Sequence, residues 1–219
     1  LQVLEIGPCP HGTTFALSHG EAYHPSIFNE GENPMLEPWK LVSRQDAFRN
    51  RWLHVTLDTL QLPNGQAYEY TTILRAQVGV AAAVLDPHGR LLLEREYRPP
   101  VGEVIYQVPG GLAEPGEDPV QCIRRELREE TGLLADRFRY LGVFWNNPAT
   151  SNGRCLLYLT RSARPSGQLR RDASEFIEWD WYDLDWVKAR ILDGTIKDRV
   201  VICALAYLWL TAEIESCSS

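Results

Sequence analysis

GLAEPGEDPVQCIRRELREETGL, residues 111–133, sets a turn rich in glycine and proline ahead of a short, heavily charged segment. At about 100° per residue, a helix here gathers Glu126, Glu129 and Glu130 into an arc of roughly 100°, beside an apolar stripe of Val120, Ile123 and Leu127. Arg125 flanks the acidic arc, whereas Arg124 and Arg128 project elsewhere. Glu126 and Glu130 form an i,i+4 pair of like charges that weakens a helix by about 0.2–0.5 kcal/mol, and Glu129 adds to the repulsion. A hard divalent cation reverses that sign. Oxygen ligands without a neighbouring histidine or cysteine pair favour Mg²⁺, with Mn²⁺ as the second choice, over Zn²⁺. Magnesium in turn points to a phosphate-bearing substrate.

The whole chain sets the bounds. With 219 residues it can bury one good core with a smaller attached layer; 44% hydrophobic and 23% charged residues are ordinary for a soluble globular protein. No apolar run approaches membrane-spanning length, so no membrane partner is expected. A net charge of −7 disfavours a broad nucleic-acid surface while leaving room for a local basic pocket. The five cysteines, Cys9, Cys122, Cys155, Cys203 and Cys217, show no metal-binding spacing, and their odd number argues against a complete disulfide framework. Together with the lack of a basic leader and long apolar core at the start, they point to the cytoplasm.

Three regions are expected. Residues 1–35, rich in Gly, Pro and His, read as an irregular arm. Residues 36–75 read as an antiparallel hairpin layer, with Trp52 to Asp58 partly alternating, a turn at Pro63-Asn64-Gly65 and a returning strand from Tyr68 to Leu74. In the third region, 76–219, strands are predicted over Val78–Leu85, Leu91–Tyr97, Phe138–Phe144, Arg154–Leu159 and Phe176–Tyr182. Helices are predicted over Leu184–Leu192 and Lys197–Ile214, with Asp193-Gly194 as a stop between them. Strands interleaved with helices give an α/β class with helices on both faces of a mixed sheet.

The spacing of Gly111, Glu117, Arg125-Glu126-Leu127, Glu129-Glu130 and Gly132-Leu133 resembles the complete signature box of the Nudix hydrolases, and no defining position departs from it. The resemblance extends over about residues 76–213 and implies an α/β/α sandwich, while the hairpin layer is similar to the N-terminal sheet of ADP-ribose and nucleotide-sugar pyrophosphatases. In those relatives that layer builds a homodimer. The implied activity is Mg²⁺-dependent hydrolysis of the diphosphate bridge of a nucleoside-diphosphosugar, with ADP-ribose the best single substrate. The rival readings are a hydrolase of GDP-mannose or a dinucleotide, and a nucleotide-sugar sensor without turnover.

Residue roles follow. Helical spacing makes Glu126 and Glu130 the principal metal ligands and Glu129 a further or bridging one, and the resemblance adds the carbonyl of Gly110. It also gives Arg125 a positioning role, through a salt bridge to Glu117 or Glu129, and sets Arg98 of Tyr97-Arg98-Pro99 on a phosphate. The base that activates water is Glu175 by similarity, with Glu129 competing and Asp172 and Glu178 ranked lower. Trp39 and Trp52 lie in the hairpin layer, from which relatives use aromatic residues to sandwich the base across a dimer interface, though core packing explains tryptophans more often. Pro148, fifteen positions past Leu133, resembles the proline that marks the ADP-ribose branch, but Ala149 stands where glycine commonly follows.

Overall fold

Period-two alternation in residues 54–61 and 67–74 turns Thr56 and Asp58 to one side and leaves Leu57 exposed. The computed structural model describes residues 37–166 and 176–213, and a compact unit begins at Trp39. The arm predicted over 1–35, and the candidates Asp172 and Glu175, lie outside the described residues. β1 (Lys40–Arg49), β2 (His54–Gln61) and β3 (Ala67–Leu74) form an antiparallel sheet in that order. Asn50 closes the first turn by accepting the backbone N–H groups of Trp52 and Leu53. The long β1 has no clean alternation because two irregularities interrupt its register, between Leu41 and Ser43 and between Asp46 and Phe48.

A charged group sits in the middle of this layer. Asp58 is 2% exposed, and both its oxygens are engaged: Arg44 donates Nε and Nη2 to them at 2.7 Å, and Thr56 and Thr72 donate their hydroxyls. One residue from each of β1 and β3 therefore converges on the central strand, so the pairing register is tied to a single carboxylate.

Beyond this layer, β4 (Gly79–Val84), β7 (Gly110–Leu112), β9 (Arg139–Trp145) and β10 (Arg154–Thr160) form one sheet in the order β7-β4-β10-β9. The β4–β10 pair is parallel and its flanking pairs are antiparallel, so the sheet is mixed. A second sheet orders β12 (Glu178–Tyr182), β5 (Leu91–Arg98) and β6 (Glu103–Gln107), and β8 (Leu133–Leu134) pairs with β11 (Arg164–Pro165). Three helices complete the described residues: α1 (Pro119–Thr131), α2 (Leu184–Leu192) and α3 (Arg199–Leu210).

Every residue of β4 is buried, which is why GVAAAV reads as a continuous apolar run: alternate residues feed two cores. Val80, Ala82 and Leu92 pack with Ile123 and Leu127 of α1. Ala81, Ala83 and Leu93 pack with Val187, Val201 and Leu208 of α2 and α3. Helices thus cover both faces of the sheets, the α/β/α sandwich expected. None of the described helices is long and apolar enough to cross a membrane.

The hairpin layer docks through backbone groups. Ile73 N–H bonds to the Thr150 carbonyl, Arg75 and Asn152 exchange two hydrogen bonds, and the Tyr70 hydroxyl donates to the Ala149 carbonyl. Pro148 and Ala149 therefore sit in the loop that receives β3. The last helix starts two residues later and ends four residues earlier than its apolar pattern predicts. Asp198 caps it by accepting from Val200 and Val201, and Thr211-Ala212 ends it with Ala212 at φ 54°.

Asp58 yields a test of stability. Its four donors hold the carboxyl down to about 2, below an unfolded value of about 3.9. The stabilisation is therefore fully present above pH 4 and is lost as pH falls towards 2. Asp58→Asn should cost about 2 kcal/mol in urea unfolding at pH 7, and the gap from wild type should shrink below pH 4.

Candidate active site

Asp118 fixes the start of α1 by accepting the N–H groups of Val120 and Gln121, with Pro119 in the first turn. Gly132, at φ 73°, ends it in the left-handed conformation that glycine adopts without strain, its N–H bonding to the Arg128 carbonyl. Between these caps Cys122, Ile123 and Leu127 lie on the buried side. The acidic arc is thereby turned towards β7 and the loop that follows it.

Arg125 is the hub. Its Nε and Nη2 reach the two oxygens of Glu117 at 3.0 Å each, while Nη1 donates to Glu126 at 2.9 Å and to Glu129 at 3.2 Å. Glu117 also accepts the Glu114 N–H, which folds the loop back on itself. The bidentate guanidinium, with this N–H, holds the Glu117 carboxyl down to about 2. The same contacts push the arginine above its ordinary range. Cys122, whose sulfur lies 3.5 Å from Arg125 Nη2, is driven up to about 12, chiefly by burial, so it is an inert thiol.

Glu130 is 8% exposed and accepts the Gly110 N–H at 3.0 Å. Glu126 lies so close to Gly111 that a Cβ there would collide with its carboxylate. Two helix carboxylates thus rest against consecutive glycines of β7. Among the described residues no three His, Cys, Asp or Glu side chains form a ready-made cage, since Arg125 draws Glu126 and Glu129 while Gly110 draws Glu130. The donor chemistry still fits a hard divalent ion: carboxylate oxygens on one helix face, in a cleft that glycine alone leaves open.

Strand parity sorts the remaining candidates. Leu92 belongs to the core under α1, so Glu94, Glu96 and Arg98 share that face of β5, while Arg95 faces α2 and α3. Arg98 donates Nε to Gln107 at 2.7 Å, and its Nη2 pairs with Glu96 at 2.9 Å. Arg95 instead pairs with Glu178, opposite it on β12. Glu178, a lower-ranked base candidate, is therefore on the far side of the sheet from α1. Trp39 meets Tyr68 and Tyr70 edge to face, with centroids at 5.8 and 6.4 Å. Trp52, 68% exposed, lies under Arg51 in the β1–β2 turn. The two tryptophans are at opposite ends of the β1–β2 pair, since Lys40 aligns with Gln61 and Arg49 with His54. Gln107 and the buried Glu94, which sequence reasoning missed, face each other across β5 and β6; Gln107 fell in a segment with no strand pattern.

The architecture agrees with what the chain is similar to. The NUDIX domain model matches residues 75–205, and the nucleoside diphosphate sugar hydrolase N-terminal domain model matches 39–73. The chain belongs to the Nudix hydrolase family. A methanol dehydrogenase activator from Bacillus methanolicus is 28% identical over 78% of this chain and 92% of its own length. An ADP-ribose pyrophosphatase from Bacillus subtilis (strain 168) is 24% identical over 81% of this chain and 96% of its own. A crystal structure of an ADP compounds hydrolase has the same fold, with a TM-score of 0.73 at 21% identity, covering 81% of this chain and 97% of that one. Nudix hydrolases generally use divalent metal ions.

Gly111→Ala tests the cleft directly. It should weaken Mn²⁺ binding, read by electron paramagnetic resonance, by about 10–100-fold through displacement of Glu126, with the helical circular dichroism unchanged.

Proposed function

We propose that this protein hydrolyses the diphosphate bridge of a nucleoside-diphosphosugar in a Mg²⁺-dependent reaction, with ADP-ribose cleaved to AMP and ribose 5-phosphate. The observation that carries this reading is the brace of Arg125 on Glu117, Glu126 and Glu129, beside Glu130 on the Gly110 N–H. It is a set of hard oxygens held at a glycine strand, as binding a metal–diphosphate requires. Glu126, Glu130 and the Gly110 carbonyl would hold Mg²⁺, and Glu129 would be a further or bridging ligand. When bound, the ion supplies charge neutralisation and a lowered pKa for water.

The chain's own residues do the rest. Arg98, on the α1 face of β5, binds a phosphate oxygen of the substrate, and Arg125 keeps the carboxylates in place without touching the reacting atoms. Water attacks a phosphorus, the bridging P–O bond breaks, and the proton passes to a carboxylate, Glu175 in this reading, with Glu129 as the competing base. Trp39 and Trp52 would stack on the nucleobase from different protomers of a homodimer, since one chain holds them at opposite ends of the β1–β2 pair. The exposed apolar side chains of the hairpin layer, Leu41, Val42 and Phe48 among them, favour a homodimer. The thiols of Cys122, Cys155 and Cys203, free in the structure, fit the cytoplasm.

A panel of nucleotide sugars with Mg²⁺ tests the reaction. ADP-ribose should release AMP, and Glu130→Gln should lower turnover by at least about 100-fold with the fold retained. GMP release from GDP-mannose instead would move the substrate, and tight binding without turnover would make the protein a sensor. For the assembly, light scattering should give twice the 24.9 kDa chain mass, and Phe48→Glu should shift it to the monomer.

A further inference from the structure

Arg98 does not point the way a hairpin-end arginine does by default. In the β5–β6 register its cross-strand neighbour is Glu103, and Gln107 lies opposite Glu94, four residues back along β5. Even so, Arg98 Nε reaches the Gln107 side-chain oxygen at 2.7 Å, so the arginine must run back along the strand face. Glu96, two residues away on the same face, holds Nη2 at 2.9 Å. Gln107 is the last residue of β6 and stands three positions before Gly110, whose N–H meets Glu130, so the contact ties the arginine to the strand that leads into the glycine turn. Arg98 also lies on the face of β5 that carries Leu92 under α1. Only two of its five N–H donors are used by these contacts, and its side chain is 43% exposed.

The chemistry of the second partner matters. Glu96 already offsets the charge of Arg98. A carboxylate at position 107 would make the group net negative, whereas an amide accepts the Nε–H and adds no charge. It would also put a second acid directly across from Glu94, which is 3% exposed, at a cross-strand separation where like charges repel. A neutral acceptor satisfies both constraints.

We infer that Gln107 is the positioning residue of the phosphate-binding arm: its amide holds Arg98 folded back along the α1 face of β5 and leaves the guanidinium able to attract a dianionic diphosphate. This rests on the reading of Arg98 as a phosphate ligand. Gln107 touches neither substrate nor metal, so its effect is on affinity and not on the chemical step.

The test is a double-mutant cycle on the full chain with ADP-ribose and Mg²⁺, reading KM and kcat separately. Gln107→Glu should raise KM about tenfold and leave kcat within about threefold, because the arginine is then engaged by two carboxylates. Gln107→Met, which removes the acceptor without adding charge, should raise KM by about threefold or more and serves as the second variant if the added acid impairs folding. In an Arg98→Ala background, either change should add less than about twofold, since there is no arm left to aim. If Arg98→Ala raises KM but neither Gln107 variant does, or if the Gln107 effect persists undiminished without Arg98, the inference is overturned while the phosphate reading stands. Should Arg98→Ala itself leave KM unchanged, that reading fails and takes the inference with it.

Discussion

One guanidinium carries the like-charge burden of the acidic helix α1. Glu126, Glu129 and Glu130 on α1 would repel one another and fray that face, yet Arg125 answers two of them and locks the preceding loop through Glu117. None of these four charged groups is fully exposed: the side chains of Arg125, Glu117, Glu126 and Glu129 are 26%, 17%, 15% and 34% accessible. The interaction is therefore stronger than that of a solvated surface pair, and loss of the arginine would remove the one guanidinium that these three partly buried carboxylates share. Loop, helix and strand are fixed together at this point.

Glycine makes the approach possible. At Gly111 the carboxylate of Glu126 occupies the volume a side chain would fill, and at Gly110 an added Cβ would strike the backbone of β4. Helix α1 can lie this close because β4 contributes Val80 and Ala82 beneath it, small enough to let Ile123 and Leu127 seat deeply. The small side chains of the central strand and the glycines of β7 therefore serve one end, bringing helix carboxylates against a backbone that has no side chains in the way.

Much of this was legible in the sequence. The three-four spacing of Val120, Ile123 and Leu127 marks the buried side of α1 and therefore its acidic side. Asp193-Gly194 marks the boundary between α2 and α3, and the apolar runs of β4, β5 and β10 follow their patterns to within one residue or so. The rest depends on tertiary partners. β1 is exposed along its whole length and twice irregular, so no alternation betrays it. Proline punctuates the segment around β6 and β7, which reads as loop until β5 and β4 supply partners. Glu178 is a base candidate by sequence, but only its register with Arg95 reveals that it faces the other side of the sheet. The fold-back of Arg98 onto Gln107 is likewise a matter of register, invisible from Tyr-Arg-Pro alone.

In the proposed function, the carboxylates of α1 grip a cation against a bridging diphosphate. Anomalous diffraction from crystals grown with Mn²⁺ and a non-hydrolysable ADP-ribose analogue tests it most directly. A manganese peak is expected within about 2.3 Å of Glu126 and Glu130 oxygens, and of a phosphate oxygen of the analogue. A peak bound elsewhere, or a diphosphate seated away from the Gly110–Gly111 strand, would contradict it.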